Sequence, residues 1–380
     1  MNFNNFVAGH WVEQFQYRSF SPTPINREWT WEDPRINTIL ESATQAIGEL
    51  NAFSLIVPDV DLFIQMHITK EANTSSRIEG TQTSFDEAIR PVEFVLPERR
   101  DDWQEVQNYI QAMNQAIDEL ERLPLSNRLL NETHAVLLQG VRGEQKFPGE
   151  FRRSQNWIGG SGPSEAAFVP PHHDELPSLM SDLEKFWHND AIQVPNLIRI
   201  ALSHYQFETI HPYCDGNGRI GRLLITLYLV SKGLLRKPTL YLSAYLEKHK
   251  AAYFDALTRV RDSNDLGQWI RFFLTAVLKT ARNGRATFEG ILKLREEVEH
   301  TTLSLGKRAS NARQLLARLY RNPMVTANEA AGLLAVTHQT ASSLIRDFEE
   351  LGILKKEMKV ERSQAYVFRR YLELFEERVM

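Results

Sequence analysis

The chain has 380 residues, 42% of them hydrophobic and 24% charged, an ordinary globular composition with room for two or three domains. Its 44 Lys and Arg against 48 Asp and Glu leave a formal charge of −4, so the overall balance calls for neither nucleic acid nor an anionic membrane. One cysteine, Cys214, excludes an intrachain disulfide, no run of 18 apolar residues offers a membrane span, and the opening MNFNNFVAGHWVEQF lacks a basic-then-apolar leader, so the expectation is a cytoplasmic protein.

Residues 1 to about 34 are rich in aromatics and prolines without a period, which predicts an irregular arm lying on the body. From Pro34, Ile36, Ile39, Leu40, Ala43, Ala46, Ile47 and Leu50 recur at three- and four-residue steps, the spacing of an amphipathic helix. A second helix is expected over 59–70, a polar stretch over 71–83, and helices over 84–94, 100–122 and 125–140. Between Arg152 and Pro171 the pattern changes. Residues 155–158 and 166–169 read as two short strands around Gly159-Gly160-Ser161-Gly162-Pro163, a hairpin whose free edge suits an extended peptide. Helices resume at 175–188 and 194–208, break over 211–218, and run from Arg219 to Lys232. They continue through 243–262, 265–282 and 284–303.

The last part changes character. Residues 311–372 hold ten Lys or Arg and six Asp or Glu, a basic stretch in an acidic chain. Helices over 312–320, 327–334 and 338–351, then strands near 353–356 and 364–368, resemble a winged helix-turn-helix. DNA-binding members of that class place the second helix of the turn in the major groove. Here it would offer Thr337, His338, Gln339, Thr340 and Arg346, with Lys355, Lys356, Lys359 and Arg362 in the wing, while Asp347, Glu349 and Glu350 dilute the charge. The fold class expected is mainly α, a helical core with a short β-hairpin flap plus this C-terminal unit. We divide the chain into an N-terminal arm and helices (1–110), a core (111–290), a helical linker (291–310) and the C-terminal unit (311–380).

The densest chemistry lies in His211-Pro-Tyr-Cys-Asp-Gly-Asn-Gly-Arg-Ile-Gly-Arg222. Gly216 and Gly218 let the backbone turn sharply and approach a ligand, and consecutive N–H groups in such a loop make an anion-binding nest. A helix starting near Arg219 adds the positive end of its dipole. Arg219 and Arg222, three apart, share a helix face and can clamp phosphate oxygens. Asp215 is a hard oxygen ligand suited to Mg²⁺, and His211 can accept a proton at neutral pH. Together these describe a phosphate-transfer site. Other readings are weaker. Residues 216–221 spell Gly-x-Gly-x-x-Gly but lack the preceding strand of a dinucleotide site. His204, Glu208 and His211 stand at helical steps like a metal triad, without a second cluster to complete it. His172-His173-Asp174 follows two prolines and reads as solvated loop, and Cys214 as a small packed side chain.

These residues match the Fic family motif, His-Pro-Phe-x-(Asp/Glu)-Gly-Asn-Gly-Arg-x-x-Arg, with Tyr213 in the Phe position. The stretches FPGEFRRSQNWIGG and FVPP also resemble that family's target-binding flap, and the resemblance spans most of residues 35–290. It implies a helical core that transfers AMP from ATP, with Mg²⁺ or Mn²⁺, onto Ser, Thr or Tyr hydroxyls of a protein target, or onto itself. It implies that His211 takes the hydroxyl proton and Asp215 holds the metal. Gly216, Asn217, Gly218, Arg219, Ile220, Gly221 and Arg222 would bind the nucleotide, with Arg222 at the γ-phosphate. Where family members often carry Asn near YINxNK, this chain has Tyr245-Leu246-Glu247-Lys248-His249-Lys250, which leaves the choice of base open. UMP transfer and removal of AMP remain alternatives, as does a DNA-binding regulator acting through 311–372; a homodimer is also compatible.

A second family pattern, (Ser/Thr)-x-x-x-Glu-(Gly/Asn), is matched by Ser75-Ser76-Arg77-Ile78-Glu79-Gly80. It implies an inhibitory helix whose Glu79 pairs with Arg222, occupying the fork that the γ-phosphate needs. Ser75 would tether that helix and Gly80 would end it.

Overall fold

The computed structural model describes residues 1–57, 59–360 and 363–376. Helix α1 (Pro34–Ile56) starts at a proline behind Asp33, whose carboxylate accepts the Arg35 N–H. It packs along α11 (Leu266–Thr302), and Ile36, Ala43, Ile47 and Leu50 are buried in the same core as Trp269, Phe273, Val277 and Ala281 of α11. Two helices had been expected where α11 runs unbroken for 37 residues, because Gly284 interrupts the pattern without a proline to stop the backbone. Conversely, 243–262 divides at His249 into α9 (Ser243–Lys248) and α10 (Lys250–Ser263).

Helix α2 (Val60–Ile78) is longer than its apolar pattern and absorbs most of the polar stretch. The helix expected over 84–94 shrinks to α3 (Phe85–Ala88) and single turns, since Pro91 lacks an N–H and forces Arg90 toward extended geometry. Helices α4 (Arg100–Glu119), α5 (Asn127–Leu137), α6 (Leu176–His188), α7 (Asn196–Ile210) and α8 (Asn217–Ser231) follow as expected. Every residue of α7 from Leu197 and of α8 up to Leu229 is buried, so these two helices form the centre of the core.

The N-terminal arm is more regular than its sequence suggests. Strands β1 (Gly9–Glu13) and β2 (Arg18–Pro22) pair antiparallel, Trp11 opposite Phe20. The flap over 155–169 is less regular, reduced to one bridge between Ile158 and Phe168. Gly159 and Gly160, both at φ 71°, and Pro170 and Pro171 prevent longer pairing there. Phe20 donates its N–H to the Val169 carbonyl at 2.9 Å, and the Arg261 guanidinium lies 4.0 Å above the Phe168 ring, so the flap's return limb is held from two sides.

The C-terminal unit is α12 (Ala309–Arg321), β3 (Met324–Thr326), α13 (Ala327–Leu334), α14 (His338–Glu350), β4 (Lys355–Val360), β5 (Ser363–Val367) and α15 (Arg369–Leu372). Its antiparallel sheet runs β3-β5-β4; β3 is a strand that the three-residue apolar run was too short to reveal. Ala341, Leu344, Ile345 and Phe348 bury one face of α14, leaving His338, Gln339, Thr340 and Arg346 exposed. Arg362, expected in the wing, lies outside the described residues. The unit packs onto α2, where Phe63 meets Tyr320 at 5.1 Å and Tyr371 at 6.4 Å. Among the described residues no helix is long and apolar enough to cross a membrane.

Candidate active site

The site is the turn between α7 and α8. His211 caps α7 in a left-handed conformation (φ 51°), and Gly216 (φ 75°) opens α8 in another. Between them Tyr213 is clamped by Asn217, whose amide accepts the Tyr213 N–H and donates to its carbonyl, both at 2.8 Å. The Asn217 side chain is thus occupied by the loop itself. The phosphate-binding capacity falls to the N–H groups of Asn217, Gly218 and Arg219, first-turn donors that no helical carbonyl can reach. Ile220 N–H is already bonded to the Gly216 carbonyl at 3.0 Å, and Ile220 and Gly221 lie on the buried side of α8.

The loop rests on His134 of α5, to which no motif or spacing in the sequence points. Its ring stacks on Tyr213 with centroids 3.9 Å apart. Nδ1 accepts the Gly149 N–H at 2.9 Å, so the proton sits on Nε2 and donates to the Asp215 carbonyl at 3.0 Å. Burial lowers the His134 pKa to about 4, which keeps that neutral tautomer. The Tyr213 hydroxyl adds a 2.8 Å bond to Asn131. Arg152 is a second unforeseen support, only 2% exposed. Its guanidinium donates to the carbonyls of His211 (3.0 Å), Ser154 (3.1 Å) and Pro171 (2.6 Å), tying flap to loop.

His211 Nδ1 lies 3.4 Å from the Glu208 carbonyl, which can only accept, so Nδ1 carries the proton and Nε2 keeps its lone pair. Burial pulls the His211 pKa down to about 4 against the opposing charge of Glu79, so the ring is neutral at physiological pH. Asp215 has one oxygen 2.6 Å from the Gly216 N–H and 3.6 Å from Arg219; its side chain is 43% exposed. One accessible carboxylate beside a phosphate nest fits Mg²⁺, which takes few protein ligands and several phosphate oxygens.

The two arginines face different partners. Arg219 lies 3.4 Å from Glu105, which Arg142 and Thr81 also contact. Arg222 is spent on α2: Nε donates to Ser75 Oγ at 2.8 Å, and Nη2 to the Ser75 carbonyl at 3.0 Å and to Glu79 at 2.6 Å. Burial opposes ionisation of both partners. Their mutual attraction outweighs it, holding Glu79 below and Arg222 above their usual pKa values. Gly218 has a specific reason to be glycine, because a Cβ there would collide with the Glu79 carboxylate. Glu79 sits just past the end of α2, and Gly80 turns the chain away at φ 104°.

The alternative clusters separate from this turn. His204 uses both nitrogens, on the Gly221 carbonyl and the Tyr253 hydroxyl (2.8 Å each), and burial lowers its pKa to about 3, so it has no lone pair for a metal. Burial instead raises Glu208 to about 7, and its carboxylate packs where a Gly221 side chain would be. His172, His173 and Asp174 bring ligand atoms within 4.8 Å of one another beyond the flap. In the 245–250 segment, Lys250 donates to the Ile78 carbonyl at 2.6 Å and Glu247 pairs with Arg77 at 3.1 Å, so this stretch clasps the end of α2.

Comparison with known proteins gives this geometry a context. Residues 38–118 match the Fic/DOC family N-terminal model and residues 124–229 the Fic/DOC family model. A protein adenylyltransferase Fic of Aedes aegypti is 32% identical over 134 residues, 35% of this chain and 24% of the relative. One of Drosophila grimshawi is 29% identical over 162 residues, 42% of this chain and 30% of the relative. The chain therefore spans only about a quarter of the length of the curated relatives it matches. A Fic family protein of Desulfovibrio desulfuricans has the same fold, with a TM-score of 0.55 at 19% identity over 90% of this chain and 98% of that one. A Fic domain-containing signaling protein of Bacteroides thetaiotaomicron gives 0.54 at 18% identity, over 66% and 97%.

Proposed function

We propose, starting from a chain that carries both Fic/DOC family domains, that this protein transfers AMP from ATP to a hydroxyl side chain of a protein and that Glu79 restrains it. The observation that carries the reading is the pairing of a neutral His211, its Nε2 lone pair available, with unbonded first-turn N–H groups of α8. In the reaction, Nε2 takes the proton of a Ser, Thr or Tyr hydroxyl as its oxygen attacks the α-phosphorus. The bond to the β-phosphate oxygen breaks and pyrophosphate leaves. The α8 N–H groups and Arg219 hold phosphate oxygens, and Arg222 the γ-phosphate. Asp215 would hold Mg²⁺, which when bound neutralises charge on the phosphates.

Glu79 opposes this in two ways. It occupies the Arg222 fork, and it places a carboxylate where the third phosphate belongs. The name shared by the curated relatives supports AMP over other transferred groups. The test is mass spectrometry of Glu79→Gly incubated with each nucleoside triphosphate and Mg²⁺. An added AMP from ATP alone is the expected result; an added UMP, or no adduct from any nucleotide, rejects the reading.

The C-terminal unit supports a second activity as a winged helix. Two of the three acids that dilute its basic face are engaged within the unit or at its edge, Asp347 with Arg308 and Glu349 with Lys356 (3.7 Å), while α14 presents His338, Gln339, Thr340 and Arg346 outward. Duplex DNA binding that weakens steeply with salt is expected; no binding at low salt removes this role.

A further inference from the structure

At the foot of the flap, where the sequence alone reads as solvated loop, three consecutive side chains converge. The ligand atoms of His172, His173 and Asp174 all lie within 4.8 Å of one another. The turn that carries them is held at both ends. Before it, Pro170 and Pro171 restrict the backbone, and the Pro171 carbonyl accepts from Arg152 at 2.6 Å. After it, the 3₁₀ turn His173–Glu175 leads straight into α6, whose Leu176 is buried, and Glu175 accepts from the Ser21 hydroxyl of β2. A fixed piece of backbone therefore presents the three groups. Both imidazoles are partly buried and the carboxylate is exposed, so an ion from solvent can reach them.

Asp174 turns one oxygen to each ring. Oδ2 lies 3.2 Å from His172 Nδ1, and Oδ1 lies 3.7 Å from His173 Nε2. Around a tetrahedral ion with bonds of about 2.0–2.1 Å, neighbouring ligand atoms stand about 3.3 Å apart, so both separations are close to those of ligands sharing one ion. The ordinary alternative is a carboxylate paired with imidazolium, and two features disfavour it. The ring centroids are 4.0 Å apart, so charging both rings would set like charges against each other. His173 Nδ1 is buried without a hydrogen-bond partner, and an imidazolium would leave a charged N–H there with no acceptor. His172 Nδ1 accepts the Asp174 N–H at 3.5 Å, so its lone pair is on the side of the same carboxylate, and a bond that long is given up at little cost. Electron-pair donors are thus left facing one another, an arrangement that a cation relieves.

We propose that His172 Nδ1, His173 Nε2 and the Asp174 carboxylate form a site for a divalent transition ion of the Zn²⁺ class, with water completing its coordination. Two imidazole nitrogens and one oxygen suit such an ion and do not suit Mg²⁺, which prefers oxygen throughout, so the site differs in chemistry from Asp215. Three protein ligands leave a position open, as in accessible sites, whereas a closed structural site takes four. Bound there, the ion stiffens the turn from which the flap's return limb leaves, adding to the fastenings by Arg152 and Phe20. Nothing in this depends on the reaction assigned to His211.

The test is isothermal calorimetry of Zn²⁺ titrated into full-length protein stripped with a chelator, with Mg²⁺ in large excess to occupy any all-oxygen site. Binding of one equivalent is expected. His173→Ala and Asp174→Ala should each weaken it about tenfold or more, while His300→Ala, at an exposed position of α11, should leave it unchanged. No binding in excess Mg²⁺, or equal binding by His173→Ala, overturns the site. A second measurement needs no variant and so decides the matter even where a substitution prevents folding. Diethyl pyrocarbonate acylates neutral imidazoles, and peptide mass spectrometry locates the adducts. Zn²⁺ should protect the peptide containing His172 and His173 and leave His300 reactive; labelling of His172 and His173 that is the same with and without Zn²⁺ overturns the site.

Discussion

Replacing Glu79 by Gly removes one of three bonds from Arg222 while leaving the two to Ser75 in place. A hydrogen bond to a charged partner contributes about 1.5–3 kcal/mol. The Glu79 side chain is 40% exposed, so screening by water places this pair toward the lower end, about 1.5–2 kcal/mol. At 1.36 kcal/mol per tenfold, the population of protein with Arg222 open to a γ-phosphate rises roughly 10- to 30-fold. Loss of the carboxylate charge beside the triphosphate acts in the same direction. The assay is the initial rate of AMP incorporation into the protein itself from ATP labelled at the α-phosphate, with Mg²⁺. Glu79→Gln separates charge from bulk, since an amide of equal size cannot form the ion pair; it should recover most of the gain. Ser75→Ala leaves Glu79 in place and loses one bond of about 1 kcal/mol, so about fivefold is expected. Incorporation by Glu79→Gly within twofold of wild type, with both proteins active, refutes the brake.

Adding His211→Ala to Glu79→Gly should cut transfer by about 10²–10⁴ while ATP still binds, measured as separate rate and binding titrations. Arg152→Lys cannot reproduce a planar fork shared among four carbonyls, that of Ile210 included, so a loss of about 2 kcal/mol in urea unfolding is expected, together with slower transfer. Stability should also fall on mild acidification. His67, His134, His204 and His211 are buried with pKa values lowered to between about 3 and about 4, so the unfolded chain binds their protons first as pH drops below about 6.5. Glu208, raised to about 7 by burial, and Glu71, raised in the same direction, work the other way, so four histidines against two carboxyls leave a net loss of stability between pH 6 and 5. Thermal melts across that range check this; a flat profile contradicts the burial of these rings.

The parts legible in the sequence were those where one local rule dominates. The motif turn declares itself because a left-handed start to α8, an anion nest and two arginines need particular residues at fixed spacing. Helices α1, α7 and α8 follow from apolar periodicity or continuous apolar runs. What stayed hidden depends on partners distant in the chain. His134 meets Asp215 across 81 positions and Arg152 meets His211 across 59, and neither position differs locally from any other polar residue. The β1–β2 hairpin was hidden for a related reason. Its aromatic residues pack on Phe168 of the flap, so their spacing answers to that surface as much as to a strand period.

Helix α2 shows how a polar run comes to be buried. Glu71, Asn73, Thr74, Ser75 and Ser76 are all under 9% exposed, which would be costly without partners. Most have them: Asn73 donates to the Thr83 carbonyl at 2.7 Å, Thr74 to the Lys70 carbonyl at 2.8 Å, and Glu71 accepts from Ser243. The body of α2 is thus locked by its own polar contacts and by Phe63 against the C-terminal unit. Glu79 is not part of that lock. It stands one residue past Ile78, where the helix has ended, and its side chain reaches Arg222 from a half-open edge. Releasing the Glu79 bond to Arg222 therefore requires only the residues around Glu79 to move, while breaking the two Ser75 bonds would mean unpacking the buried helix. An activating signal has an inexpensive route through the last turn of α2, and the grip of Lys250 and Glu247 on Ile78 and Arg77 lies on that route.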